Sequence, residues 1–198
     1  MLHMIYHYGD EDFNDRGYGC VYRNIQTLLS VFLEQNPHDN RKVPGIVQLL
    51  REFKGDDFQQ LSVSDRWIEP HAAGQYLQKK WNIGGKDVMS IGIKGDRPCI
   101  MSTDVSIYGE HVGSSAIRDE RGITLLSSEA LNELHTHFRF GGLPVLIDDG
   151  VMSYLIMGMD NAVLFIADPH MYTREKRVWT DSEFLQRSWM MFIPSIEN

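Results

Sequence analysis

The hydrophobic periodicity of this 198-residue chain changes once, just past residue 81, and that change restricts the folds open to it. Before it, apolar residues recur every three or four positions. Val21, Ile25, Leu28, Leu29, Phe32 and Leu33 predict a helix over 20–35, broken by Asn36-Pro37-His38-Asp39-Asn40. A second helix follows Pro44, carrying Ile46, Val47, Leu49, Leu50 and Phe53, and a third runs from about 69 or 70 to 81. Afterwards the pattern is strand-like at 88–93, 143–147, 152–159, 162–167 and 189–193. One more helix is expected over 128–138, stopped by Gly141-Gly142, and Thr180-Asp181-Ser182-Glu183 reads as a capping box. The stretch 96–126 is read as a strand near 100–108 and a polar loop over 109–122. Helices first and strands later, without βαβ alternation, predict an α+β fold with an antiparallel sheet packed against helices. The length suits one sizeable core, so 1–198 is expected to form one domain.

The first predicted helix opens on a cysteine. In Gly17-Tyr18-Gly19-Cys20-Val21-Tyr22-Arg23, two glycines let the backbone turn sharply, and the thiol falls where first-turn amides and the helix dipole favour a negative sulfur. That context fits a nucleophile, while a buried structural thiol is the other reading. Near the far end, Asp168-Pro169-His170 follows the apolar strand 162–167. Proline restrains the relation between its polar neighbours, so the histidine has an aspartate to orient it and becomes a candidate base. An ordinary Asp-Pro turn is the alternative. Tyr6-His7-Tyr8 reads as a short strand ended by an acidic loop to Gly19, with His7 lining the site or packing. His135 and His137 lie on an amphipathic helix and are expected in solvent. Cys99 beside Pro98 is expected to pack inertly.

Several function classes are disfavoured. A formal charge of −8 does not suit a nucleic-acid partner, which needs clustered Lys and Arg. No apolar run reaches the roughly 20 residues of a membrane span. The first six residues carry neither a basic segment nor a long apolar one, so no secretory leader is expected. Two cysteines make neither a disulfide framework nor a thiolate-rich zinc site, and a reducing cytoplasmic or nuclear setting is the expectation. There is no HExxH-type spacing and no Gly-x-Ser-x-Gly elbow. No metal or organic cofactor is implied.

Together these residues resemble the UfSP family, the papain-like cysteine proteases specific for the ubiquitin-fold modifier. The resemblance rests on Tyr6-His7-Tyr8, on Gly17-Tyr18-Gly19-Cys20-Val21-Tyr22-Arg23, and on Trp67-Ile68. It continues through Pro144-Val145-Leu146-Ile147-Asp148-Asp149-Gly150 and ends at Asp168-Pro169-His170. It implies Cys20 as nucleophile, His170 as general base, Asp168 as the group orienting the imidazole, and Tyr8 as oxyanion donor with the Cys20 amide. Trp67 matches a tryptophan near the cleft, as a substrate contact or a core aromatic.

The implied substrate is a ubiquitin-like modifier and its conjugates, cut after the modifier's terminal glycine in both maturation and deconjugation. Ubiquitin itself is the alternative, making the chain a deubiquitinase. A modifier-binding pseudo-enzyme is the reading from another class. Two departures stand out: Tyr18 replaces the family's tryptophan, and Asp148-Asp149 replace two glycines. Carboxylates near the cleft would oppose a thiolate, or would engage a basic partner surface.

Overall fold

The structure, a computed structural model, describes residues 4–94, 97–99, 117–119, 122–161, 163–171 and 177–196. Four helices come first: α1 (Cys20–Gln35), α2 (Ile46–Lys54), α3 (Val63–Arg66) and α4 (Pro70–Trp81). Four strands follow: β1 (Ile83–Lys94), β2 (Arg97–Cys99), β3 (Ile117–Asp119) and β4 (Gly122–Leu126). Then come α5 (Ser127–Arg139), β5 (Val145–Asp148), β6 (Ser153–Asp160), β7 (Val163–Ala167), β8 (Arg177–Thr180), α6 (Asp181–Leu185) and β9 (Trp189–Ile196). The predicted α+β order is therefore the observed one.

The described strands join one sheet in the order β3-β4-β1-β9-β5-β6-β7-β8, with β2 turned back on β1. Its spine is the antiparallel pair β1–β9, from Ile83 opposite Ile196 to Ser90 opposite Trp189. The sheet departs from the antiparallel expectation at one place, where β4 lies parallel to β1. A parallel neighbour requires a long crossover, and the chain from 95 to 121 supplies one. β3 falls inside the segment expected to be a loop. The strand expected near 100–108 lies outside the described residues, as does the side chain of Cys99.

Alternation along the strands sorts side chains onto two covered faces. Leu146, Leu155, Ala167 and Phe192 pack with α1, α2 and α4 residues such as Leu28, Leu49 and Leu77. Val145, Ile147, Ile156, Ile166 and Met191 pack on the other face with Leu134 of α5 and Phe184 of α6. Coverage on both sides is why β5 reads as a continuous apolar run.

Two local expectations fail. Residues 6–8 form no strand: the Tyr8 amide donates to the Pro169 carbonyl (2.9 Å), while the His7 amide donates to the Asp10 side chain (2.8 Å). The Asp10 carboxylate takes the place of a strand partner there. His137 is not in solvent either. Its Nε2 lies 2.7 Å from the Leu143 carbonyl, the ring rests against Gly142, and burial lowers its pKa.

Candidate active site

Cys20 is the first residue of α1, as its sequence context predicted, and is 2% exposed. The preceding turn uses its two glycines differently. Gly17 has φ +86°, a left-handed conformation costly for a side chain. Gly19 is helical, but a Cβ there would collide with the Asp15 carboxylate.

Asp15 is completely buried and ties the segment together. Its carboxylate accepts from the Gly9 amide (2.9 Å) and from Arg23 Nε (2.7 Å), while its carbonyl accepts from the Gly19 amide (2.8 Å). Arg23, three residues after Cys20, donates in addition to Glu11 and Gln26 (3.0 Å each) and to the Asp10 carbonyl (2.7 Å). One buried ion pair therefore fixes the residue following Tyr8 to the helix that begins with Cys20.

On the sheet side, Asp168 and His170 leave the end of β7. Asp168 Oδ1 accepts from the His170 amide (3.0 Å) and lies 2.7 Å from Nδ1, which leaves Nε2 for another partner. That partner is the Cys20 thiol, whose hydrogen bond and charge act on the imidazole. Burial alone would lower the His170 pKa, but Asp168 and Cys20 together outweigh it and raise the value to about 9. The three groups distant in sequence thus meet.

Tyr8 completes the cluster. Its ring stands edge-on to His170, with centroids 5.0 Å apart at 86°. Burial raises its pKa, reinforced by the charge of Cys20 and by a hydrogen bond with the thiol; the Cys20 main-chain amide donates to the phenolic oxygen. Phenol and amide therefore converge beside the sulfur.

Trp67 follows α3 and is half-buried, packed against the helical-side core. Its segment is held near Cys20: Tyr22 donates to the Arg66 carbonyl (2.7 Å), and the Arg66 guanidinium lies 5.3 Å from the Tyr18 ring. His7 is buried with neither ring nitrogen paired.

Three contributors were not found in the sequence: the Asp15–Arg23 pair, the Asn24–Ser153 bond and Tyr154. Asn24 Nδ2 donates to Ser153 Oγ (2.9 Å), docking α1 on β6 one turn below Cys20. Tyr154 backs the imidazole at 5.6 Å and contacts Trp179, which stacks on Trp189. The available signal was a run of polar residues, Arg23, Asn24, Gln26 and Thr27, on a helix that buries all of them. Among the described residues, no group of three His, Cys, Asp or Glu is placed to hold a metal ion. No described helix is long and apolar enough to cross a membrane.

Known proteins similar to this chain carry the names of proteases. "Probable Ufm1-specific protease 2" of Drosophila melanogaster is 28% identical over 171 residues, covering 83% of this chain and 23% of its own. "Ufm1-specific protease 1" of Mus musculus is 27% identical over 184 residues, covering 88% of this chain and 68% of its own. The chain thus spans about a quarter of the length of the fruit-fly relative. The crystal structure of UfSP from C. elegans matches with a TM-score of 0.64 over 98% of this chain and 33% of that one, at 17% identity. The papain-like fold is shared. The sequence profile of peptidase family C78 matches residues 2–191, and the chain belongs to that family.

Proposed function

We propose that this chain is a thiol protease that cleaves after the C-terminal glycine of a ubiquitin-like modifier, the ubiquitin-fold modifier Ufm1. The observation that carries the reading is the convergence of Cys20, the Asp168–His170 pair and Tyr8 at the start of α1. Family membership and the names of the similar proteases support the substrate class.

In this mechanism His170 takes the Cys20 proton, and the sulfur attacks the glycine carbonyl carbon. Asp168 holds Nδ1–H, so Nε2 faces the sulfur and the charge on the ring is compensated. The oxyanion lies between the Tyr8 hydroxyl and the Cys20 amide. Both donors already stand beside the sulfur and turn from their resting bonds, with each other and with the thiol, to the oxyanion; losing one costs about 3 kcal/mol in the transition state. Collapse breaks the C–N bond as His170 returns its proton to the departing amine. Water then attacks the thioester while His170 accepts its proton, and the thiol leaves protonated. Nothing in the sequence distinguishes a peptide bond from a lysine isopeptide bond at this step, so the same chemistry serves maturation and deconjugation. Trp67, between α3 and α4, forms one wall of the slot for the tail.

The test uses modifiers ending in a propargyl amide. Capture of Ufm1 and loss of capture in Cys20→Ser are expected. Capture of ubiquitin alone would make the chain a deubiquitinase, and binding without capture a pseudo-enzyme. Tyr8→Phe should lower kcat by about 100-fold at unchanged KM.

A further inference from the structure

Asp148 and Asp149 stand where the UfSP-like pattern read in the sequence has two glycines, and the structure treats them differently. Asp149 serves the β5–β6 turn. Its Oδ1 accepts from the amides of Val151 (3.1 Å) and Met152 (2.9 Å), and its Oδ2 faces Arg187 at 3.4 Å. Asp148 has no comparable duty. Its Oδ1 accepts from the Gly150 amide (2.6 Å), but its Oδ2 is buried with no partner.

The register shows where Asp148 points. It lies opposite Ser153 of β6, and directly opposed residues share a face of the sheet. Ser153 Oγ is bonded to Asn24 of α1, one turn from Cys20. Leu146, two residues earlier on β5, faces the same helical layer. Asp148 therefore projects towards the beginning of α1. The other charges it senses are Asp149, Glu69 and His170. Glu69 is two residues beyond Trp67, exposed at the start of α4. Asp148, from the sheet, and Glu69, from the helices, are thus near enough for one charge to act on the other.

A buried carboxyl with an unpaired oxygen is unfavourable unless something supplies a donor and a countercharge. No described lysine or arginine does so, and the one opposite charge Asp148 senses is His170, which is already engaged by Asp168 and Cys20. Cys20 is itself only 2% exposed, so a tail that reaches the sulfur must open the surface beside it, and Asp148 projects towards that same end of α1. Resting on the protease reading above, we infer that Asp148, with Glu69, is the acidic specificity subsite of the cleft. It receives a lysine or arginine side chain from the modifier's tail, just upstream of the terminal glycine.

Peptides ending in a free glycine test this against Cys20→Ala protein by calorimetry, with Lys, Arg or Gln at the second or third residue before the end. At one of those positions the basic peptides should bind about ten-fold tighter than the Gln peptide. In Cys20→Ala/Asp148→Asn that preference should fall to about two-fold or less. Asp148→Gly, which removes the side chain altogether, serves if the asparagine variant misfolds. Equal binding of basic and Gln peptides, or a preference that survives loss of the carboxylate, overturns the subsite. The propargyl experiment answers separately for the chemistry: basic preference without capture removes the protease reading, and capture without preference removes only the subsite.

Discussion

His170 is governed by opposing influences, and their balance is measurable. Burial disfavours its charge, yet Asp168 and Cys20 hold its pKa at about 9. A raised histidine keeps the proton it has taken from Cys20 through neutral pH and loses it to solvent as pH rises through about 9, so the alkaline limb of kcat/KM should lie there. Asp168→Asn removes a charge that raises this value and should move the limb to lower pH; an unmoved limb would assign it to another group. Asp148 shows the opposite sign. Burial raises its pKa to about 7, so the folded chain holds a proton that the unfolded chain has already lost above about pH 4. Its contribution to stability is greatest at low pH and falls by roughly 1.4 kcal/mol per unit as pH rises towards about 7. Asp148→Asn should remove that slope, making the variant more stable than the parent at pH 8 in urea unfolding. Of these two neighbouring carboxylates, Asp149 has both oxygens engaged while Asp148 keeps one buried oxygen unpaired.

At the scale of elements, α1 is more than a support for Cys20. It carries Arg23, whose three nitrogens are all engaged by the loop that precedes the helix. Arg23→Leu leaves the buried Asp15 carboxyl without its guanidinium partner, and should cost about 3–5 kcal/mol of unfolding free energy. The gentler Asp15→Asn addresses function. Asp15 holds the Gly9 amide and the base of α1 together, so it acts on the oxyanion site through Tyr8. The variant should lower kcat about ten-fold in the parent and have little further effect in Tyr8→Phe, the non-additivity expected of groups acting through one another. Full additivity would make Asp15 a purely structural residue. The helix itself was legible from its apolar spacing, and so was its first residue. The ion pair was not, because Asp15 and Arg23 look like ordinary polar residues until the loop folds back over them.

For the whole molecule, the cleft depends on how closely the helical layer sits on the sheet. Gly74 of α4 sets that distance: a Cβ there would approach the Phe192 ring to 2.5 Å, and Phe192 is buried in the core. Gly74→Ala should therefore destabilise the fold by about 1–3 kcal/mol and lower its melting temperature. The chain by itself determined the helix-then-strand order and the candidacy of Cys20, Asp168 and His170, since periodicity and local motifs are properties of neighbouring residues; Tyr8 came only with the family resemblance. It did not determine the parallel β1–β4 pair, the burial of His137, the hub at Asp15 and Arg23, or the unequal fates of Asp148 and Asp149. The strand pair joins residues far apart in the chain, and the others depend on how a short loop folds back on itself, which periodicity does not record. Only packing decides which polar atoms gain a partner and which are left in the dark without one.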